Sequence, residues 1–184
     1  MPRTRVVELI QTRRKYTWPQ AQLNFWVLIM LASGATILGI FAYFMTVQNQ
    51  TRSGQIWLFP YSIATGILTI LFIGIIFFLI QSRQLVPGVV MLGSFILFVL
   101  YLTGLIETAI QLYGPRGSVN YYCGLYPKSY GHVGAQGVAT LAYLETLGIC
   151  NDWKAAFSFY LVGSVFLLWM VFIAWGVQRG TFDA

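Results

Sequence analysis

Charge is scarce in this 184-residue chain: Asp, Glu, Lys and Arg together make up only 9% of it, against about a quarter of a soluble domain. Histidine occurs once, as His132, and cysteine twice, as Cys123 and Cys150. So few ligating side chains leave little from which to build a metal centre, and a single histidine does not supply the ligand pair of an internal haem. No HExxH, phosphate loop or serine or cysteine paired with a histidine at a known spacing is present. The chain reads as non-enzymatic, with no cofactor and no metal. Its net charge of +6 does not point to nucleic acid either, because no basic stretch is interleaved with polar, base-reading residues.

What the chain has in excess is apolar surface, with 58% hydrophobic residues. A soluble fold of this size cannot bury that much, so lipid must act as solvent for part of it. Four charge-free runs stand out, 23–44, 56–80, 87–106 and 155–177. Each is as long as the ~20 residues a helix needs to cross the hydrocarbon at ~1.5 Å per residue. Helices are required because isolated strands would leave backbone groups unpaired in lipid. The expected fold is all-α, a four-transmembrane-helix bundle spanning 23–177, preceded by a basic segment 1–22 and followed by a short tail 178–184.

Lys and Arg placement orients the spans. Arg3, Arg5, Arg13, Arg14 and Lys15 precede the first run, and Arg83 and Arg179 fall on the same side. Arg52, Arg116, Lys128 and Lys154 fall on the other. Both termini are therefore expected in the cytoplasm. The first run is too long for the core of a cleavable signal and is expected to stay as an anchor, in the plasma membrane or a membrane of the secretory pathway. Val6, Leu9 and Ile10 share one face if the N-terminal segment is helical, and the basic residues around them would suit an anionic inner leaflet. A plain solvated tail is the alternative.

The link between the second and third runs, 81–86, is short enough to make them antiparallel neighbours, and Pro87 suits a first helical position. The first outer loop, 45–55, carries a glycosylation sequon at Asn49; an unmodified turn is the competing reading. The second outer loop, 113–152, is long, and a loop of this length is expected to be structured. Its Gly- and Tyr-rich first part predicts turns. The stretch 136–147, with Val138, Leu141 and Leu144 on one face, predicts a short helix on the membrane surface or against the bundle. Cys123 and Cys150 both lie in this loop, facing an oxidising compartment, and are expected to pair; two buried thiols are the alternative.

Glu107, just past the end of the third run, is the acid nearest the membrane interior. Intramembrane carboxylates mark ion or proton paths, but a side chain reaching the interface explains it equally simply. Small residues offer close helix approach: Ala35 and Gly39 on the first helix, Gly66 and Gly74 on the second, Gly163 on the fourth. They serve packing within the chain, or docking on a second copy or a larger membrane protein.

The order of parts resembles the MARVEL-type tetraspan proteins, particularly the small fungal plasma-membrane kind. The resemblance is carried by the short inner hairpin, the long second outer loop and Cys150-Asn151-Asp152-Trp153-Lys154-Ala155-Ala156-Phe157-Ser158-Phe159 at the opening of the last span. Claudin-like proteins share the layout but have a long first outer loop with paired cysteines, absent here, and the tetraspanin CCG motif is absent too. The resemblance implies a protein that organises membrane domains or accompanies a larger assembly, with the bilayer and a homo-oligomeric or membrane-protein partner as its contacts. A small transporter or channel component using Glu107 is the alternative.

Overall fold

The computed structural model describes residues 20–51, 56–81, 87–114, 118–129 and 138–179. They form five helices: α1 (Gln20–Thr51), α2 (Leu58–Gln81), α3 (Pro87–Tyr113), α4 (Val119–Ser129) and α5 (Val138–Arg179). No strand occurs among the described residues. Within α1, α2, α3 and α5 lie four stretches long and apolar enough to cross a membrane: Ala21–Asn49, Leu58–Gln81, Pro87–Tyr113 and Leu147–Arg179. Among the described residues the fold is thus all-helical with four candidate spans, that of a multi-pass membrane protein by length and composition.

The helices outrun the apolar stretches that revealed them. α1 continues past Phe44 to Thr51, so most of the expected first loop is helix and Asn49 sits in its last turn. No Gly or Pro interrupts 45–51, and a helix that ended earlier would strand carbonyls close to lipid. α3 likewise passes Glu107 and ends at Tyr113. Gly114 stops it: its N–H donates to Ile110 O at 2.8 Å, and a Cβ there would lie 2.5 Å from that same oxygen. A side chain there would crowd the last turn of α3.

The long loop also differs from expectation. Where turns were predicted, α4 forms, started by Ser118, whose hydroxyl accepts from Tyr121 N at 3.3 Å while its carbonyl accepts from Tyr121 N and Tyr122 N. The expected short helix at 136–147 is not separate: from Val138 it runs unbroken into the last span, giving a 42-residue α5 about 63 Å long at ~1.5 Å per residue. No proline falls within 138–179 to break it.

In cross-section α1 touches α2 and α5, and α3 touches α2 and α5, leaving α1 opposite α3 and α2 opposite α5. The α1–α2 and α3–α5 interfaces are the most extensive. α4 packs on α5 and α3. Buried positions recur with alternating steps of three and four, as in Val90, Ser94, Leu97, Tyr101, Gly104 and Thr108 on α3 and Ala156, Tyr160, Gly163, Leu167, Met170, Ala174 and Val177 on α5. That 3.5-residue period is the pattern of left-handed helix packing.

The exposed surface is strongly apolar, while hydroxyls are turned inward. Phe78 is 72% exposed and Leu28 66%, whereas Ser33, Ser62, Thr65, Thr69, Ser94, Thr108 and Ser164 are buried. Water would expel such a surface; hydrocarbon accepts it.

Candidate functional site

The centre of the bundle is built by an exchange of tyrosines and glycines. Tyr101 of α3 lays its ring over Gly163 of α5, and Tyr160 of α5 lays its ring over Gly104 of α3. The two rings meet edge to face with centroids 5.5 Å apart, a favoured aromatic geometry. Each glycine is a notch: a Cβ at either position would overlap the opposing ring. Phe72 of α2 fills the notch at Gly93 of α3 in the same way. Gly34 and Gly66 bring α1 and α2 together, a Cβ on Gly66 falling 3.0 Å from Gly34 O and one on Gly34 falling 3.0 Å from Thr69 Cγ2.

Hydroxyls line the same interior. Thr69 donates to Thr65 O at 2.8 Å, and its oxygen lies 3.3 Å from the Tyr101 hydroxyl. Since Thr69 has one proton and gives it to Thr65, the contact with Tyr101 uses the tyrosine's proton. Tyr61 donates to Leu100 O and Trp26 Nε1 to Phe166 O, each at 2.9 Å, tying α2 to α3 and α1 to α5. The buried hydroxyls of Ser33, Ser62, Ser94 and Tyr160 have no hydrogen-bond partner among the described residues.

Toward the α4 end, Trp153 closes the bundle. It stacks on Phe44 at 5.4 Å and meets Phe41 at 6.1 Å and Phe59 at 6.3 Å, so α1, α2 and α5 share one aromatic cluster. Cys150, one turn away, bonds to Cys123 of α4 with Cα atoms 6.0 Å apart, and the two sequence-predicted cysteines are a disulfide. At the opposite end Arg179 lies 3.8 Å over the Trp175 ring, a cation–π pair.

The other sequence-derived candidates separate. Gly66 and Gly163 are buried with neighbours close against them. Ala35, Gly39 and Gly74 are exposed, and a Cβ on either of the two glycines would meet nothing within 4 Å; small size alone does not tell an inward face from an outward one. Gly34, Gly93 and Gly104 carry the close approaches that sequence reading missed. The signal for Gly104 and Gly163 was an aromatic three residues before each, a pattern visible only once α3 and α5 are paired. Glu107 is half-buried on α3, seven residues, about 10 Å, beyond the Leu100 carbonyl that Tyr61 bonds. It shares no hydrogen bond or ion pair with the hydroxyls of the core. Asn49 is exposed. Arg3, Arg5, Arg13, Arg14, Lys15 and His132 lie outside the described residues. Among the described residues no three His, Cys, Asp or Glu side chains converge.

Fold and site together define a four-span helical bundle with a glycine-notched, hydroxyl-bearing core and a disulfide-linked cap on one end. Comparison with family models, with curated proteins and with solved structures gives no match.

Proposed function

We propose that this chain is a non-enzymatic tetraspan membrane protein that organises a membrane domain or serves as an accessory subunit of a larger assembly, associating through the outward face of α1. The observation that carries the reading is the contrast among outward faces. Those of α2, α3 and α5 are filled by large side chains such as Leu71, Phe78, Leu92, Phe95, Val165 and Phe172. Between Ala32 and Ala42 that of α1 instead presents Ala32, Ala35, Gly39 and Ala42, all exposed and spaced three or four apart, while Phe25, Leu28 and Leu31 before this stretch and Tyr43 after it are large and exposed as on the other helices. Small residues on a lipid-facing helix let a second helix approach to backbone distance, whereas bulky ones suit acyl chains. The partner is a second copy of the chain or a larger membrane protein. Both termini are assigned to the cytoplasm of a plasma-membrane or secretory-pathway protein, with the basic N-terminal segment against anionic lipid. The layout's resemblance to MARVEL-type tetraspans points to the same kind of role.

The test is the size of the particle extracted in native lipid. Wild-type protein is expected as an oligomer or with a partner. Gly39→Leu, whose side chain has open space around it, is expected to dissociate that assembly while leaving the bundle's own thermal unfolding no lower than that of wild type. A lone wild-type monomer, or association unaltered by Gly39→Leu together with Ala35→Leu, would overturn the reading.

A further inference from the structure

The disulfide to α5 and the packing on α3 and α5 fix α4 more tightly than a free loop helix. Two measures give its height relative to the span of α5. Lys154 and Arg179 bound the charge-free stretch of α5, and long basic side chains mark membrane boundaries by reaching outward with their charges. Cys150 lies four residues beyond Lys154, a rise of about 6 Å. The disulfide holds Cys123 with its Cα 6.0 Å from that of Cys150. The headgroup layer on each side of the hydrocarbon is about 5–8 Å thick, so the first turns of α4 fall at its depth. Independently, Tyr113 at the end of α3 meets the ring of Phe157 at 5.9 Å. Phe157 lies three residues inside the charge-free stretch, so the connection to α4 leaves from the edge of the span.

The residues at that depth suit the layer. Tyr113 and Tyr121 are each 61% exposed, and Tyr122 and Trp57 are also exposed. No charged residue occurs from Val119 to Pro127. Exposed tyrosines and tryptophans with an apolar ring and a polar tip concentrate where hydrocarbon meets headgroups. Among the described residues α4 packs on α3 and α5, and Tyr121 and Tyr122 are exposed rather than turned into the bundle.

We infer that α4 is an interfacial helix. Its Tyr121 and Tyr122 rest among phospholipid headgroups and the first methylenes of the leaflet, and the Cys123–Cys150 bond sets the depth. The partner of this surface is lipid, not protein. The inference is independent of which side of the membrane the cap faces and of the α1-mediated association.

The experiment places p-benzoylphenylalanine at position 121, and separately at 122, in the full chain reconstituted into phosphatidylcholine vesicles. Position 78, the most exposed of the large hydrophobic residues on α2, serves as the lipid-facing reference, and non-reducing electrophoresis checks that the disulfide is retained. On illumination, positions 121 and 122 are expected to gain the mass of one phospholipid, as position 78 does. Lipid adducts at 78 with none at either 121 or 122, or adducts at those sites to protein only, would overturn the inference.

Discussion

Glycine changes sign according to the face it occupies, and the structure makes this testable one residue at a time. At Gly104 and Gly163 an added methyl meets a tyrosine ring, so Gly104→Ala and Gly163→Ala are each expected to destabilise the bundle by about 1–3 kcal/mol through overpacking. At Gly39 and Gly74 the space is open, and alanine is expected to stabilise by up to about 1 kcal/mol by removing the helix penalty of glycine. Thermal unfolding of the four variants in one detergent checks the signs; destabilisation at Gly39 equal to that at Gly104 would refute the assignment. Tyr160 offers a second contrast. Its ring fills the Gly104 notch while its hydroxyl, near that of Ser62, makes no hydrogen bond of good geometry. Tyr160→Phe is therefore expected within about 1 kcal/mol of wild type, because no made hydrogen bond is lost, whereas Tyr160→Ala opens a cavity costing about 3–5 kcal/mol. None of this was legible in the sequence, where Gly39 and Gly104 are both single glycines in apolar runs. The distinction comes from what stands opposite, and that is decided between helices.

At the scale of elements, the sequence disclosed the spans but not their ends. Hydropathy falls at Met45–Thr51 and at Glu107–Tyr113 because polar side chains appear there, while backbone hydrogen bonding continues without regard to them. α4 was hidden for a different reason. Tyrosines, a glycine and a proline in Val119–Ser129 oppose helix on propensity, and an 11-residue helix is marginal alone. Its Ser118 cap, its packing on α3 and α5 and the disulfide supply what the local sequence does not. Closing a loop of 27-residue separation restricts the unfolded chain by about 3–4 kcal/mol. Replacing both cysteines with serine is expected to abolish hydrogen-exchange protection across Val119–Ser129 while protection in α2 persists. Equal loss in both would mean that the bond holds the whole bundle and not chiefly its cap.

For the whole molecule, the pairing of cysteines was readable because only two exist, and the four crossings because charge is missing from the spans. Which surface would meet a partner in the proposed association was not readable, since Ala35 and Gly39 serve inward or outward packing equally well on paper. Their exposure now makes α1 the face to perturb, and particle size in native lipid the quantity to follow. Interhelical bonds join the two halves of the bundle at Trp26–Phe166 and Tyr61–Leu100. Trp26→Phe removes one of them and leaves a small void at a fully buried position, so it is expected to cost about 2–3 kcal/mol from the two effects together, read as a lower unfolding temperature; an unchanged temperature would show that the bond adds nothing to the join.

Cys150, Trp153, Ala156, Tyr160 and Gly163 follow one another along one side of α5, much as the cuts of a key lie along one edge. The disulfide, the aromatic cluster and the tyrosine exchange are therefore read by the rest of the molecule as a single setting of one rod. Inserting one residue between Cys150 and Trp153 would turn everything on one side of it by about 100° relative to the other. The sulfur could then reach α4 or the tyrosine could reach its notch, but the two would no longer be compatible in an unbroken helix. Alignment of the cap with the membrane core is thus encoded in the spacing of a few residues, and a change of length there is expected to be far more disruptive than a change of side chain.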